Sequence, residues 1–144
     1  MSDQAPTALK KAVTVWVAEE YQVSEARRSA RALAEEIGLS QVVTCDVLTS
    51  VTELANNLFL HTLAGGTITL TPVGRNGEVG LEVICEDDGP GIPDVTQAMQ
   101  NGFSTKGTLG GGLPGVARLM DEFEIASTVG VGTRIVARKW QPCK

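Results

Sequence analysis

Apolar positions recur along this chain with two periods. Over 12–18 they alternate: Val13, Val15 and Val17 fall on one side, and Ala12, Thr14, Trp16 and Ala18 on the other. A period of two predicts a strand. From Ser24 the period lengthens to that of a helix. Ser24 reads as the N-cap and Glu25 as a first-turn acid; Ala26, Ala30, Leu33, Ala34 and Ile37 form the apolar stripe, and Gly38 stops it. Ser40 opens a longer helix that runs to about His61. Val43, Val47, Val51, Leu54 and Leu58 make its buried face, and Asp46, Ser50, Glu53 and Asn57 an opposing polar stripe.

After a turn at Gly65-Gly66, two strands are expected over 67–73 and 79–86, joined through 74–77 as a hairpin. Residues 88–112 are rich in glycine with scattered apolar positions, and a short helix is expected over 94–100. A connection of this length inside a compact domain is usually functional. Pro114 starts a third helix as a first-turn proline, with Val116, Leu119 and Met120 inward. Segments 124–128 and 133–139 close as a hairpin around Gly130-Val131-Gly132. Helices and hairpins are segregated rather than alternating. That order predicts an α+β fold: a two-layer α/β sandwich, with a mixed, mainly antiparallel sheet and helices packed on one face. Residues 1–10 read as a loose N-terminal tail and 11–144 as a single domain.

Composition narrows the function classes. The 144 residues are 42% apolar and 20% charged, an ordinary globular balance that excludes a disordered chain. A net charge of −5 argues against nucleic acid or an acidic membrane surface as the main partner. Lys10 and Lys11, and Arg27, Arg28 and Arg31, read as a solvated tail and the outer face of a helix. No apolar run approaches the ~20 residues that span a bilayer. The first residues lack a basic region followed by an apolar stretch, so no signal peptide is expected and the default compartment is the cytoplasm. Cys45, Cys85 and Cys143 lack metal-type spacing. The first two fall in apolar-patterned segments and are expected as buried thiols, the third as an exposed one. A single histidine, His61, argues against a zinc site or a Ser-His-Asp triad.

Three separated segments carry candidate chemistry. Glu53 and Asn57 are one helical turn apart on one face. An Asn oxygen is a hard neutral ligand suited to Mg²⁺, and a carboxylate one turn away can take a proton from an attacking hydroxyl or water. Alone, such a pair is an ordinary polar helix face. Asn56 is the neighbouring alternative as ligand; the stripe geometry favours Asn57. Asp87, Gly89 and Gly91 follow a strand, where a carboxylate can accept from the adenine amino group and glycines permit a sharp turn and close approach. Alone, this is a strand-ending turn. Gly107, Gly110, Gly111, Gly112 and Gly115 lead into the helix at Pro114, where exposed backbone N–H groups and the dipole favour phosphate. Gly110-x-Gly112-x-x-Gly115 has the spacing of a dinucleotide fingerprint but lacks the strand that must precede it. The chain has no Walker A loop, and no H-R-D or D-F-G pair of the eukaryotic kinase type.

Together, in this order, the three segments resemble the N, G1 and G2 boxes of the GHKL ATPase superfamily, whose nucleotide-binding fold is the Bergerat fold; Gly130-Val-Gly-Thr133 is similar to its last box. Within it, "EDDGPGIPDV", "NGFSTKG" and "GGGLPGVARLMDEFEI" resemble the small serine/threonine kinases of bacterial partner-switching modules, the stressosome switch kinases. The likeness covers nearly the whole chain. It implies an ATP- and Mg²⁺-dependent protein kinase acting on a STAS-domain scaffold or antagonist, and then binding and activating a PP2C-type phosphatase in a stress response. It implies Asn57 as the Mg²⁺ ligand, Glu53 as general base, and Asp87 reading adenine with Gly89, Gly91 and Ile92 shaping that pocket. It implies an ATP lid over 94–112, with Lys106, Gly107, Thr108, Leu109, Gly110, Gly111, Gly112 and Leu113 at the phosphates, and Thr133 at the adenine end. Lys106 stands where a small polar residue is usual. Thr108 replaces the first glycine of the G-L-G-x-G-L run, which is expected to stiffen the lid. An anti-sigma factor of the same superfamily is the alternative, and a nucleotide-gated binding module without turnover is a third. A histidine kinase fits less well, because no dimerisation helix pair precedes the core.

Overall fold

The computed structural model describes residues 5–62, 64–92, 95, 99 and 112–143. Six strands form one antiparallel sheet: β1 (Thr7–Ala8), β2 (Val13–Val17), β3 (Gly66–Arg75), β4 (Glu78–Asp87), β5 (Glu122–Thr128) and β6 (Gly132–Pro142). Their order is β1-β3-β4-β6-β5, with β2 also paired to β3. Among the described strands every pairing is antiparallel, which resolves the expected mixed sheet. Part of the segment expected as a loose tail is pinned: Thr7 and Ala8 pair with Gly74 and Val73, and Leu9 N–H donates to the Pro72 carbonyl at 2.8 Å.

Strand alternation sorts the sheet into two faces. Val15, Val17, Ile68, Leu70, Leu81, Val83, Cys85, Ile135 and Ala137 join the helices in one buried core. The helices are α1 (Glu20–Glu36), α2 (Gln41–His61) and α3 (Gly112–Leu119).

Helix α1 starts four residues before the expected Ser24 cap. Its N-cap is Glu19, and the Gln22 side chain accepts from the backbone N–H groups of Glu19 (2.9 Å) and Ala18 (2.8 Å). Val23, Ala26, Ala30, Leu33 and Ala34 are buried, and Gly38 takes φ 77 just past its end. Helix α2 starts as expected, with Ser40 Oγ accepting from Val43 N–H at 3.2 Å. Strand β6 pins this start: Gln141 donates to the Gly38 carbonyl (3.0 Å) and accepts from Ser40 N–H (2.8 Å). Lys139 Nζ donates to the Leu119 carbonyl at 2.7 Å and pairs with Asp46 at 3.3 Å, so one side chain ties α2, α3 and the sheet together.

Packing from several sides corrects two expectations about α2. The helix touches α1, α3 and the sheet, so its polar stripe is not an outer face: Ser50 is 0% and Glu53 3% exposed. Cys45 is exposed, and Thr44 takes the buried position beside it; Cys85 is buried and Cys143 exposed, as expected. At the expected short helix, Met99 N–H donates to the Val95 carbonyl at 3.0 Å; the remainder of 94–100 lies outside the described residues.

Candidate functional site

The C-terminal half of α2, the end of β4, the start of α3 and the start of β6 surround one cavity of about 170 Å³. Helix α2 contributes Asn57, Leu58 and, at its C-cap, Thr62, whose hydroxyl donates to the Leu58 carbonyl at 2.7 Å. Strand β4 and the turn after it contribute Cys85, Asp87, Pro90, Gly91 and Ile92. Gly112, Leu113 and Pro114 come from the first turn of α3, and Thr133 and Ile135 from β6. Three segments far apart in sequence thus meet on one wall-to-wall space. Asn57 lines it and Asn56 does not, which separates the two candidate amides.

Backbone close approach builds one side of the site. Gly132 lies at φ 145 against the Asp87 carbonyl, and Gly91 at φ 80 against the Thr128 carbonyl. A Cβ at either would collide with backbone, so neither position tolerates a side chain. Sequence reasoning missed the hydroxyl that joins these pieces. Ser127 Oγ accepts from Ile92 N–H at 2.7 Å and lies 2.8 Å from Thr133 Oγ1. Its signal was the hairpin register, which sets Ser127 opposite Thr133 once the turn is placed. Asp87 Oδ1 accepts from Gly89 N–H at 2.8 Å, which fixes the carboxylate at the strand end.

The cavity is mostly apolar, with Asn57, Thr62, Asp87 and Thr133 as its few polar groups. That balance suits a flat heteroaromatic ring held by one or two directed hydrogen bonds. Cys85 adds no charge. Burial, and then the charges of Asp87 and Glu86, push its thiol far above the ordinary range, so it stays neutral at the cavity floor.

Not every expected site residue is on this wall. Gly89 lines an adjoining open groove, which shares Thr62, Asp87 and Pro90 with the cavity. Glu53 lies one turn before Asn57, buried in the interior of α2, and burial raises its pKa above the ordinary carboxylate value. Its Oε1 has no hydrogen-bond partner among the described residues. Lys106, Gly107, Thr108, Leu109, Gly110 and Gly111 lie outside the described residues.

The donor set fits a divalent ion of one kind. No group of three or more His, Cys, Asp or Glu side chains able to hold a metal occurs among the described residues. An ion here would take one protein oxygen, from Asn57, and its other ligands from phosphate and water, which is how Mg²⁺ binds and not how Zn²⁺ does. No described helix is long and apolar enough to cross a membrane.

Known proteins resemble this chain in sequence and in fold. A model of the histidine kinase-like ATPase domain matches residues 16–139. Serine/threonine-protein kinase RsbT of Bacillus subtilis (strain 168) is 48% identical over 122 residues, covering 84% of this chain and 90% of that protein. The anti-sigma F factor of Caldanaerobacter subterraneus subsp. tengcongensis is 33% identical over 122 residues, covering 81% of this chain and 84% of that protein. Among solved structures, the RsbU and RsbW domains of a Mycobacterium tuberculosis protein superpose with a TM-score of 0.63 at 17% identity, over 94% of this chain and 34% of that one. The catalytic domain of histidine kinase ThkA gives 0.50 at 17% identity, over 90% of this chain and 97% of that one. At such identities the two structures speak for the fold alone. The α+β sandwich, the family match over most of the length and the RsbT relative agree: this chain belongs to the family of histidine kinase-like ATPase domains.

Proposed function

We propose that this protein is a serine/threonine-protein kinase that moves the γ-phosphoryl group of ATP to a hydroxyl on a STAS-domain protein. The observation that carries this reading is the convergence of Asn57, Asp87 and Gly112-Leu113 on one cavity, with a buried carboxylate one turn behind the amide. The RsbT relative supports the choice of reaction.

Each residue then has a task that follows from its placement. The apolar walls from Leu58, Ile92, Leu113 and Ile135 enclose the base and exclude water. Asp87, held by Gly89 N–H, accepts from the exocyclic amino group and so selects adenine over guanine. The first turn of α3 presents backbone N–H groups to phosphate. Asn57 offers its carboxamide oxygen to Mg²⁺. The ion, when bound, neutralises phosphate charge during transfer. Glu53 accepts the proton of the attacking hydroxyl. Burial suits it to this role, because a carboxyl with a raised pKa is a stronger base than an exposed one.

Among partners, this reading includes a stressosome scaffold or antagonist with a STAS domain. It also includes a PP2C-type phosphatase that the kinase binds once its substrate is phosphorylated, in a cytoplasmic stress-signalling switch. The domain of this reading is the expected 11–144 extended to take in β1, which pairs in the same sheet. The test is incubation with radiolabelled Mg-ATP and a STAS-domain protein from the same genome. Label on a Ser or Thr of that protein is expected; ATP binding with no transfer to any STAS protein sinks the kinase reading.

The second reading is an anti-sigma factor that phosphorylates its own antagonist. It is favoured by the anti-sigma F relative at 33% identity over most of both chains. Pull-down against a sigma factor and a STAS protein separates the two: capture of the sigma factor selects the second.

A further inference from the structure

Two hydroxyls of α2 and its C-cap bond one turn back, and a fully buried third does not. Thr52 Oγ1 donates to the Leu48 carbonyl at 2.8 Å, and Thr62 Oγ1 to the Leu58 carbonyl at 2.7 Å. Bonding to the carbonyl one turn back is how a helix satisfies a Ser or Thr hydroxyl. Ser50 does not do this. Its Oγ is fully buried, on a residue 0% exposed, and has no hydrogen-bond partner.

The second orphaned atom in this helix is Glu53 Oε1, three residues on. Residues i and i+3 share a helix face with Cβ atoms about 5–6 Å apart. Side chains in a helix lean toward its N-terminus, so Glu53 covers the turn that holds Ser50. The two orphans are complementary. A hydroxyl can donate and a carboxylate can only accept; no direct bond joins the two atoms, and one water can bridge polar groups on adjacent turns.

We propose that Ser50 is a positioning residue for Glu53: its hydroxyl donates to the Glu53 carboxylate through one ordered water, and fixes which oxygen faces the phosphoryl acceptor. The inference rests on Glu53 being the base. Ser50 touches neither nucleotide nor acceptor in this scheme, and acts only through the carboxylate. A serine kept for packing would have been replaced without loss by alanine, which fills the same space without an unmet hydrogen bond and is the better helix former.

The test is a double-mutant cycle on ADP formation from Mg-ATP, with ATP affinity by calorimetry and thermal melting on each variant. Ser50→Ala is expected to fold with unchanged or raised Tm, to bind ATP as the parent does, and to lose about 3–10-fold in kcat, the worth of one hydrogen bond. In the Glu53→Gln background the same change is expected to cost nothing further, because the group it serves is gone. Equal losses in both backgrounds, or no loss in the parent, overturn the inference. Glu53→Gln with full turnover overturns the base assignment and this inference together. An inactive Glu53→Gln beside a fully active Ser50→Ala overturns the inference alone.

Discussion

Two sets of polar side chains in this molecule are treated in opposite ways. On the outer sheet face, away from the helices, Arg75 donates to Glu78 (3.0 Å) and Glu122 (2.7 Å), and Arg138 to Glu82 (2.8 Å) and Glu122 (2.9 Å). The Arg75 guanidinium also stacks 4.1 Å from the centre of the Trp140 ring. The arginines and glutamates are partly solvated, yet each has its partner; the buried Trp140 indole N–H beneath Arg75 is the one group here without an acceptor among the described residues. Inside α2, Ser50 Oγ and Glu53 Oε1 are buried and have no partner among the described residues. A fold selected for stability alone would do the reverse, since an unpaired polar atom costs most where water cannot reach it. On the proposed reading the outer ion-pair cluster belongs to the scaffold, and the inner line of Ser50, Glu53 and Asn57 to the chemistry. That division can be broken by substitutions whose effects on rate and on stability have opposite signs.

The largest effect is expected at Asn57. Asn57→Ala should reduce Mg-dependent phosphotransfer to background while the melting temperature stays close to the parent's. Retained turnover would remove the metal role from this amide. Glu53→Gln comes next, slowing transfer by about 10²–10⁴-fold, the usual range for a general base, with ATP still bound. It should also raise stability at pH 7. Burial lifts the folded-state pKa of Glu53 above the unfolded value, so the stability tied to its proton is complete below the ordinary carboxylate pKa of 4.5 and is lost as pH rises through the lifted one. Gln removes that loss. Its advantage should therefore be present at neutral pH and vanish below pH 4.5. Melts at pH 4 and pH 7 read it directly, and an equal or lower Tm at pH 7 would place the carboxylate in the scaffold class.

How much of this division could be read from sequence follows from the range of the forces involved. Local signals were legible. Ser40 as a cap, the alternation of Val13, Val15 and Val17, and the hairpins around Gly77 and Gly130 depend on neighbours a few residues away. So was the order of the three nucleotide-binding segments, because glycine spacing is chemistry written in the chain itself. The burial of Ser50 and Glu53 was not legible. Helix periodicity places them on a polar stripe, and only packing against α1, α3 and the sheet covers that stripe. Cys45 failed for the related reason that an apolar letter near a buried face does not say which side of the face it is on; Thr44 took the inward place. The early start of α1 was hidden because Gln22 supplies the cap interactions that Ser24 seemed suited to give. Ser127 needed the register of β5 and β6 before its hydroxyl could be set against Thr133 and Ile92.

Asp87 tests the boundary between the two classes, since it is held by a backbone N–H and also faces the cavity. Asp87→Asn keeps the shape and the bond from Gly89 but exchanges a charged acceptor for a neutral amide. A hydrogen bond to a charged group is worth about 1.5–3 kcal/mol, so ATP affinity should fall by about 10–100-fold. Discrimination against GTP should fall with it. Calorimetry with both nucleotides checks this, and equal affinity of the parent for ATP and GTP would take the base-reading role from Asp87.

The smallest effect, and the mirror image of Glu53→Gln, is expected at Glu122. Burial alone would raise this carboxyl, but the hydrogen bonds from Arg138 and Arg75, together with the Arg75 charge, hold it below its ordinary value. A depressed pKa means that the stabilisation is present above the unfolded-state value and is lost as pH falls through the folded-state one. Glu122→Gln keeps one acceptor oxygen but turns the other into an NH2 and removes the charge, so one of the two guanidinium groups loses its bond in a site about a third exposed, and the cost is about 1–2 kcal/mol once solvent screening is allowed for. The Tm should drop at pH 7, the gap to the parent should close at pH values below the depressed pKa, and salt should narrow it. Turnover should not change, because no atom of this cluster lines the nucleotide cavity. A Glu122→Gln protein that keeps its Tm but loses rate would place the outer face in the catalytic class and dissolve the division between the two regions.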